Sequence, residues 1–528
     1  MSAETNENAV FKFGYAEPHP ILSKDSERRA ENKIMKLVSI IFYPEPPPIF
    51  YKNSESRKQN TEKALPLHPE YRNRQSMKAT IDFGKMKISG IFWKMLIPTL
   101  LGMLFSTAFI ITDGIFVGKG ICSDALAAVN ITAPLFLLNT SFAMMFGAGA
   151  SVVASIHLSR GQQKNARINV TQATIILVLL LLAIWIPVCL HASDVAIMLG
   201  SSERLLPLTL EYIYWFVPFL VFSAMLTLGM YFIRIDGSPN YAMVCNAIPA
   251  IINIVLDYVF IFEFQWGMFG AALATSLGYI VGAVMVVIYL FGKKSSIRFI
   301  RIRLSRRSLE LTWRNIRYIC RLGSATFLCE AAIACMMFTG NYVFMKYLGE
   351  DGVAAYSVTC YLFPLIFMLN NAIGQSAQPI MSYNFGAGNH SRVKEALRIA
   401  LITACVSGVG IIALQGLCSP QMAGLFLVEG TNAYEIAVHG LPLFASGYLC
   451  FAINIVAICY FQSIERAKPS TVITLLRGFV FMIASFLILP PLMGDDGIWL
   501  AVPAAEVLTF LYVLAYTAWL KTKRQQLD

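Results

Sequence analysis

The chain has 528 residues, of which 56% are hydrophobic and 14% charged, and its mean hydropathy of +0.60 excludes an ordinary soluble protein. A formal net charge of +11 does not require nucleic acid as a partner, because basic loops facing anionic lipid give the same excess. The 11 cysteines are scattered through apolar stretches without ligand spacing, so we expect neither a disulfide framework nor a zinc site, and no cofactor.

Residues 1–90 form a polar extension ahead of the first long apolar segment. They hold 15 Lys and Arg against 11 Asp and Glu and include the sequence PEPPP at 44–48. Their one apolar run, 37–43, is far too short to cross a hydrocarbon layer of roughly 30 Å. We expect a disordered cytoplasmic extension, and translation from Met77 is the alternative.

From about residue 92 the chain becomes a series of long apolar segments with few or no charges. They are 95–112, 125–159, 170–193, 212–233, 237–256, 264–292, 322–345, 352–391, 399–428, 436–464, 469–494 and 497–520. Each is near or above the roughly 20 residues of a spanning helix. Because backbone groups in lipid must be satisfied within their own segment, the pattern predicts twelve transmembrane helices and an all-α fold.

The connections between these segments alternate in charge. One set is basic and includes Arg160, Lys164 and the dense run 293–321, whereas the other is mainly acidic and includes Glu203 and Asp351. By the positive-inside rule, both termini are cytoplasmic. The sequence therefore predicts a multi-pass protein of the bacterial cytoplasmic (inner) membrane.

The sequence also repeats itself. A shift of about 227 positions, chosen to align similar stretches, superposes Lys119 on Lys346 and Asp124 on Asp351, together with the loop around them. We predict two parallel six-helix lobes related by a pseudo-two-fold axis along the membrane normal. The predicted boundaries are 91–292 for the first lobe, 293–313 for a basic linker, 314–520 for the second lobe and 521–528 for a cytoplasmic tail. The basic stretch 293–321 is predicted to form a solvated surface helix that faces the lipid.

Two parallel lobes with a site between them suit alternating access, which favours a transporter over a membrane enzyme. The sequence has neither the paired D-D-x-x-D carboxylates of a prenyl-transferring enzyme nor a Walker A motif. ATP is therefore not the expected energy source.

Five ionisable residues remain within the predicted spanning helices once the loops are removed: Asp113, Asp257, Glu330, Arg477 and Glu506. An ionised side chain at the centre of a spanning helix costs roughly 2.5 to 3.5 kcal/mol, so each is a functional candidate. The two aspartates lie late in the first and fifth segments, both a few residues before an outer loop. They are predicted to share one depth in the first lobe.

Two neutral residues join them at that depth. Asn253 is four residues before Asp257, on the same helical face, and Thr275 in the sixth segment lies at a similar depth. Together with Asp113 they form an oxygen-rich cluster that suits a hard monovalent cation such as Na⁺, or protons shared between coupled acids. The alternative is that each polar group is satisfied separately in helix packing.

At these residues the sequence resembles the multidrug and toxin extrusion (MATE) transporters over about 90–520. The motifs are TDGIFVGKG, DGSPNYAMVCNAIPAIINIVLDYVFIF, WGMFGAALATSLGY and NAIGQSAQPIMSYNFGAGN. The resemblance implies a cation site on Asp113, Asn253, Asp257 and Thr275. It also implies that Pro98 is a hinge at which the first helix bends on loading, and the missing N–H of proline makes such a bend physically reasonable.

Some members of that family load a cation in the second lobe, on a glutamate that Glu330 resembles. The acid that completes their site is absent from 436–464, so Glu330 is kept as a possible second-lobe coupling residue. Arg477 and Glu506 are interpreted as helix-packing or snorkelling charges.

We therefore predict an H⁺- or Na⁺-coupled multidrug efflux antiporter that exports organic, cationic, amphipathic compounds, confers drug resistance and acts as a monomer in the bilayer. The alternatives are a flippase for lipid-linked saccharides, a membrane enzyme or a receptor. A flippase would need several intramembrane cations to neutralise a diphosphate, and Arg477 alone argues against it.

Overall fold

The long apolar segments fold as helices in the computed structural model, which describes residues 81–293, 295–302 and 305–525. The first lobe consists of α1 Ile88–Gly120, α2 Ser123–Ser159, α3 Gln163–Leu190, α4 Leu206–Ile235, α5 Pro239–Glu263 and α6 Gly267–Phe291. The predicted disordered extension up to residue 80 and the alternative start at Met77 lie outside the described residues.

The second lobe begins with one helical stretch of 81 residues, Arg306–Gly386. At about 1.5 Å per residue it would be about 120 Å long, several times the thickness of a bilayer, so it must cross more than once. The helical path breaks at Gly349, whose φ of 65° and ψ of −155° suit glycine alone. The break separates α7 (306–348) from α8 (350–386).

The remaining helices complete the lobe: α9 His390–Gly424, α10 Asn432–Ala445 with Tyr448–Ser463, α11 Ala467–Met493 and α12 Asp495–Gln525. The two parts of α10 meet at a 45° bend and form one span. With the long stretch counted as two, the described part of the chain has the predicted twelve spanning helices. The all-α, two-lobe fold predicted from the sequence is confirmed.

Two predicted boundaries differ from the structure. Helix α7 begins at Arg306, within the predicted linker, because the Ser305 side chain accepts a hydrogen bond from the Ser308 N–H at 3.2 Å and caps the helix. Helix α1 begins at Ile88, two residues before the predicted end of the extension.

The distribution of side chains is that of a protein in lipid. Large apolar residues such as Leu190, Phe338 and Leu417 are 75%, 77% and 80% exposed, whereas polar residues such as Asp257 and Asn454 are fully buried. An outer surface covered with large apolar side chains is stable where the surrounding solvent is hydrocarbon.

The lobes meet along α2, α7 and α8. A Cβ on Gly149 of α2 would lie 2.2 Å from the Ile319 oxygen, and one on Gly323 of α7 would lie 1.9 Å from the Met145 oxygen, so the two backbones are in direct contact. Nearby, the Arg160 guanidinium donates to the carbonyl oxygen at the end of α8 at 3.3 Å. These contacts close the lobes together at the end of the bundle that carries the basic loops, called here the basic end.

The segment before α1 is held by the opposite lobe. The Arg392 guanidinium of α9 donates to the carbonyl oxygens of Phe83 and Met86 at 2.9 and 2.7 Å, and the Asn384 amide of α8 also donates to Phe83. Further along, α1 packs on α5 of its own lobe, where a Cβ on Gly102 would be 3.4 Å from the backbone of α5. Helix α1 is therefore fixed to both lobes, at different heights.

Candidate cation site

The four residues of the predicted cluster meet in the structure. The Asn253 amide donates to the Thr275 hydroxyl at 3.3 Å, and that hydroxyl donates to the Asp113 carboxylate, also at 3.3 Å. All four side chains are buried, and Asp257 is 0% exposed. A chain of hydrogen bonds thus runs from α5 through α6 to α1.

The local path of α5 and α6 brings these groups together. Asp257 is the last residue before a π-helical turn, Tyr258–Glu263, a departure from the regular helix that is frequent at functional sites. On α6, a Cβ on Gly278 would lie 3.2 Å from a backbone oxygen of α5 and 3.3 Å from the Cβ of Asn253. The small residue lets the helices approach until Thr275 reaches Asn253.

Some buried oxygen atoms of the cluster lack a hydrogen-bond donor among the described residues. The Asp257 carboxyl lies beside Asp113 and Asn253, but neither of its oxygens makes a hydrogen bond of normal geometry to any described residue, and the same is true of Asn253 Oδ1. Buried acceptors of this kind are costly unless a proton or a cation satisfies them. A carboxylate pair with amide and hydroxyl oxygens fits either.

A small cavity adjoins the cluster. It has a volume of about 30 Å³ and is bordered by Asn253 and Thr275, with Ser106 of α1 on another side. A space of this size holds about one water molecule. It is large enough for a desolvated ion or a single water, and too small for an organic substrate.

Two tyrosines near the cluster were missed by the sequence reasoning. Tyr212 of α4 is close enough to interact electrostatically with both aspartates, and Tyr279 of α6 with Asp113. The position of Tyr279, four residues after Thr275 and on the same helical face, could have identified it. Nothing in the sequence around Tyr212 distinguishes it from other aromatic residues in apolar segments.

Pro98 lies inside α1, which runs through it without a break. It is fifteen positions before Asp113, about 22 Å along the helix axis. The cation site and Pro98 therefore lie at different heights of the same helix. The role of Pro98 as a hinge stays a prediction.

Glu330 borders a small cavity in the second lobe that no other described acid lines. The cavity has a volume of about 20 Å³ and is also bordered by Asn371 and Gln462, and the side chains that complete it are polar or apolar but uncharged. The structure does not bring Glu330 into the Asp113 cluster, so its role in coupling also stays a prediction.

Arg477 and Glu506 form a buried ion pair. Arg477 Nε donates to Glu506 Oε1 at 2.5 Å, and the two side chains are 5% and 6% exposed. The Asn454 amide donates to the other carboxylate oxygen at 2.9 Å, and the guanidinium lies 4.5 Å above the Phe451 ring. The pair joins α10, α11 and α12, a geometry that suits packing and gives neither residue a snorkelling path to water.

The structure has twelve spanning helices in two lobes, and one lobe holds a buried carboxylate cluster whose acceptors are incompletely satisfied. These features define a polytopic membrane transporter and not an enzyme. The sequence model of the MatE family matches residues 98–259 and again 326–488, together more than half of the chain. The chain therefore belongs to the MatE family. One match falls in each lobe, in agreement with the internal repeat found in the sequence.

Relatives and solved structures agree with this assignment. The chain is 26% identical over 421 residues to the multidrug export protein MepA of Staphylococcus aureus, a match that covers 79% of this chain and 90% of MepA. It is 24% identical over 432 residues to an FAD transporter of Shewanella oneidensis, covering 80% and 92%. A multidrug resistance MATE transporter in an outward-facing conformation superposes with a TM-score of 0.74 at 23% identity, covering 83% and 98%.

Proposed function

We propose that this protein is a multidrug efflux antiporter that exports amphipathic organic cations in exchange for H⁺ or Na⁺. The observation that supports this most directly is the buried Asp113 and Asp257 pair, whose acceptors are incompletely satisfied within the described residues. An ion that binds there more tightly in one conformation than in the other shifts the population of the two. The similarity to MepA supports export of drugs.

We also propose that the basic end faces the cytoplasm, with both termini there, in a bacterial inner membrane, and that the protein acts as a monomer without a cofactor. The orientation is supported by the distribution of loop charges, with Arg160 and Lys164 at the basic end and Asp351 at the other. In the described conformation the lobes are packed together at the basic end, so the substrate path would be closed to the cytoplasm.

The coupling role is tested with Asp113→Asn and Asp257→Asn in energised vesicles, with proton and sodium gradients imposed separately. Asparagine keeps the size of aspartate but cannot titrate or carry charge, so we expect folded protein with background export. Asp124→Asn is the matched control, because Asp124 pairs with Arg204 at the surface. One pH unit supplies about 1.4 kcal/mol per proton, and 100 mV about 2.3 kcal/mol per charge, enough to make export measurable.

The neutral ligands should matter less. Asn253→Ala or Thr275→Ala removes one uncharged oxygen, worth about 1 kcal/mol, so ion affinity should fall about five-fold while transport persists. If Asp257→Asn is present at normal levels and pumps at the parent rate under both gradients, the cation site is misassigned.

The charge of the substrate is a separate question, because one relative is named as an FAD transporter and FAD is an anion. A carboxylate cluster in the first lobe and an arginine neutralised by Glu506 in the second favour cations. Cells that express the protein should accumulate less ethidium than cells with Asp257→Asn, and FAD should not slow ethidium efflux. Inhibition by FAD, with unchanged ethidium accumulation, would contradict the cationic assignment.

The flippase alternative is disfavoured because the buried Arg477 is already paired within the protein. A lipid-linked diphosphate needs free intramembrane cations, whereas Arg477 is paired with Glu506 and packed on Phe451, and the buried guanidinium of Arg234 donates to Gln375 of the second lobe.

A further inference from the structure

A large basic cavity opens at the basic end between α3 and α7, beside the contact of α2 with α7 that packs the lobes together. Its volume is about 1260 Å³, larger than the roughly 300 to 1,000 Å³ of ordinary small-molecule pockets. One wall is the start of α3, the opposite wall is the start of α7, and the linker covers part of it. It is separate from the cation site, which lies deep in the first lobe.

The charged side chains that border this cavity are basic, and the nearby Glu465 carboxylate is engaged by the Tyr318 hydroxyl at 2.9 Å. Five basic side chains border it, contributed by α3, the linker and α7: Lys164, Arg301, Arg314, Arg317 and Arg321. None of the described residues that border it is acidic. A concave surface with this charge selects an anion with several negative oxygens, such as a phosphate group.

A hydrogen-bonded row of side chains holds the two walls together. Asn169 donates to Asn315 at 3.3 Å, Asn315 donates to Gln172 at 2.8 Å, and Gln172 donates to Thr312 at 2.7 Å. Asn169 is 2% exposed and Gln172 is 5% exposed, so this row is part of the interior. It fixes α3 against α7 and keeps the basic groups of both helices around one space.

Apolar side chains border the same cavity. Ile168, Ile300 and Leu311 lie among the basic residues, so the cavity suits a ligand that is anionic at one end and apolar at the other. On the outside of α7, Trp313 is 73% exposed, in the position of an aromatic residue at a membrane surface. Both observations place the cavity at the level of lipid headgroups.

We propose that this basic cavity binds the phosphate-bearing headgroup of an anionic phospholipid of the cytoplasmic leaflet. The leaflet follows from the orientation proposed above. Because Lys164 lies on α3 of the first lobe and Arg314 on α7, which continues into the second lobe, one bound headgroup holds the start of α7 against the first lobe. The lipid stabilises the conformation in which the basic ends are packed together, and so it regulates the conformational cycle without entering the substrate path.

The test measures lipid binding to the purified full-length protein in detergent by native mass spectrometry and by thermal shift, with phosphatidylglycerol, cardiolipin and phosphatidylcholine. The variant is Arg314→Gln with Arg317→Gln. The matched control is Arg306→Gln with Arg307→Gln, two exposed arginines of the same helix that do not border the cavity. At about 1 kcal/mol per basic residue, the variant should bind anionic lipid about thirty-fold more weakly, with the control unchanged and phosphatidylcholine bound weakly by all three proteins.

Several results would overturn the proposal: equal weakening in the control, parent affinity in the variant, or displacement of the lipid by inorganic pyrophosphate, which would indicate a site for a soluble anion. If the α7 variant does not fold, Lys164→Gln with Arg301→Gln removes two charges from the other walls and should give the same loss. Binding in detergent does not depend on transport or orientation, so a failure here is distinguishable from a failure of the proposed antiport.

Discussion

Removing the carboxylate of the buried ion pair in the second lobe should destabilise the protein strongly. In Glu506→Gln, the Arg477 guanidinium keeps its charge but loses the partner at 2.5 Å, while the Phe451 ring offers only a weak replacement. Leaving one charge of a buried pair uncompensated costs about 3 to 5 kcal/mol. Domains are commonly stable by only about 5 to 15 kcal/mol, so this is a large share of the total.

The variant Arg477→Met with Glu506→Gln separates the cost of an unpaired buried charge from the effect of altered side-chain packing. Arg477→Met alone leaves a buried carboxylate and should cost a similar amount, with Asn454 still donating one hydrogen bond to Glu506. Arg477→Met with Glu506→Gln removes both charges and should recover most of the loss, because two neutral side chains of similar volume fill the same space.

The assay is thermal unfolding of the purified protein, followed by size-exclusion chromatography and completed as a double-mutant cycle, with vesicle transport measured on each folded variant. The double variant should export with the same ion dependence as the parent. Parent-like stability of Glu506→Gln, or a double variant that folds normally but loses ion-driven export, would refute the assignment of this pair to packing.

Two further results are expected. Replacing Gly149 or Gly323 by valine places a side chain against the backbone of the opposite lobe, so export should fall to background at normal expression. Valine at Gly410, which faces open space, is the control and should be tolerated. Normal export by Gly149→Val would show that the lobes do not need this contact. A chain that starts at Met77 should insert and export ethidium at the full rate, because the segment it lacks has the composition of a disordered region, and loss of folded protein from the membrane would show otherwise.

The length of the apolar segments predicted the twelve helices, because lipid imposes both segment length and backbone satisfaction on any spanning sequence. The sequence also predicted the depth shared by Asp113, Asn253, Asp257 and Thr275, since depth follows from position in a span. The structure adds that Thr275 joins Asp113 to Asn253.

The sequence does not show which face of a helix a side chain occupies about the helix axis, or which distant helices pack together. Arg477 and Glu506 are separated by 29 positions and lie on different helices, so only the packed lobe shows that they neutralise each other. The close contact of Gly149 and Gly323 likewise depends on how two complete lobes meet. The sequence predicted a surface helix in the basic stretch but not its continuity with α7 from Arg306, because a basic amphipathic stretch is typical of both a separate surface helix and the first turns of a spanning helix.

The double attachment of α1 has a mechanical consequence. Its leading segment is tethered to the second lobe through Arg392, while its outer part is anchored in the first lobe through Asp113 and Thr275. In the alternating-access cycle that the sequence predicts, the lobes would rotate against each other, and α1, attached to both, would be placed under mechanical load. Pro98 lies between the two attachment points and lacks one backbone hydrogen bond, so bending of α1 would concentrate there. Rotation of the lobes would then displace the Asp113 carboxylate.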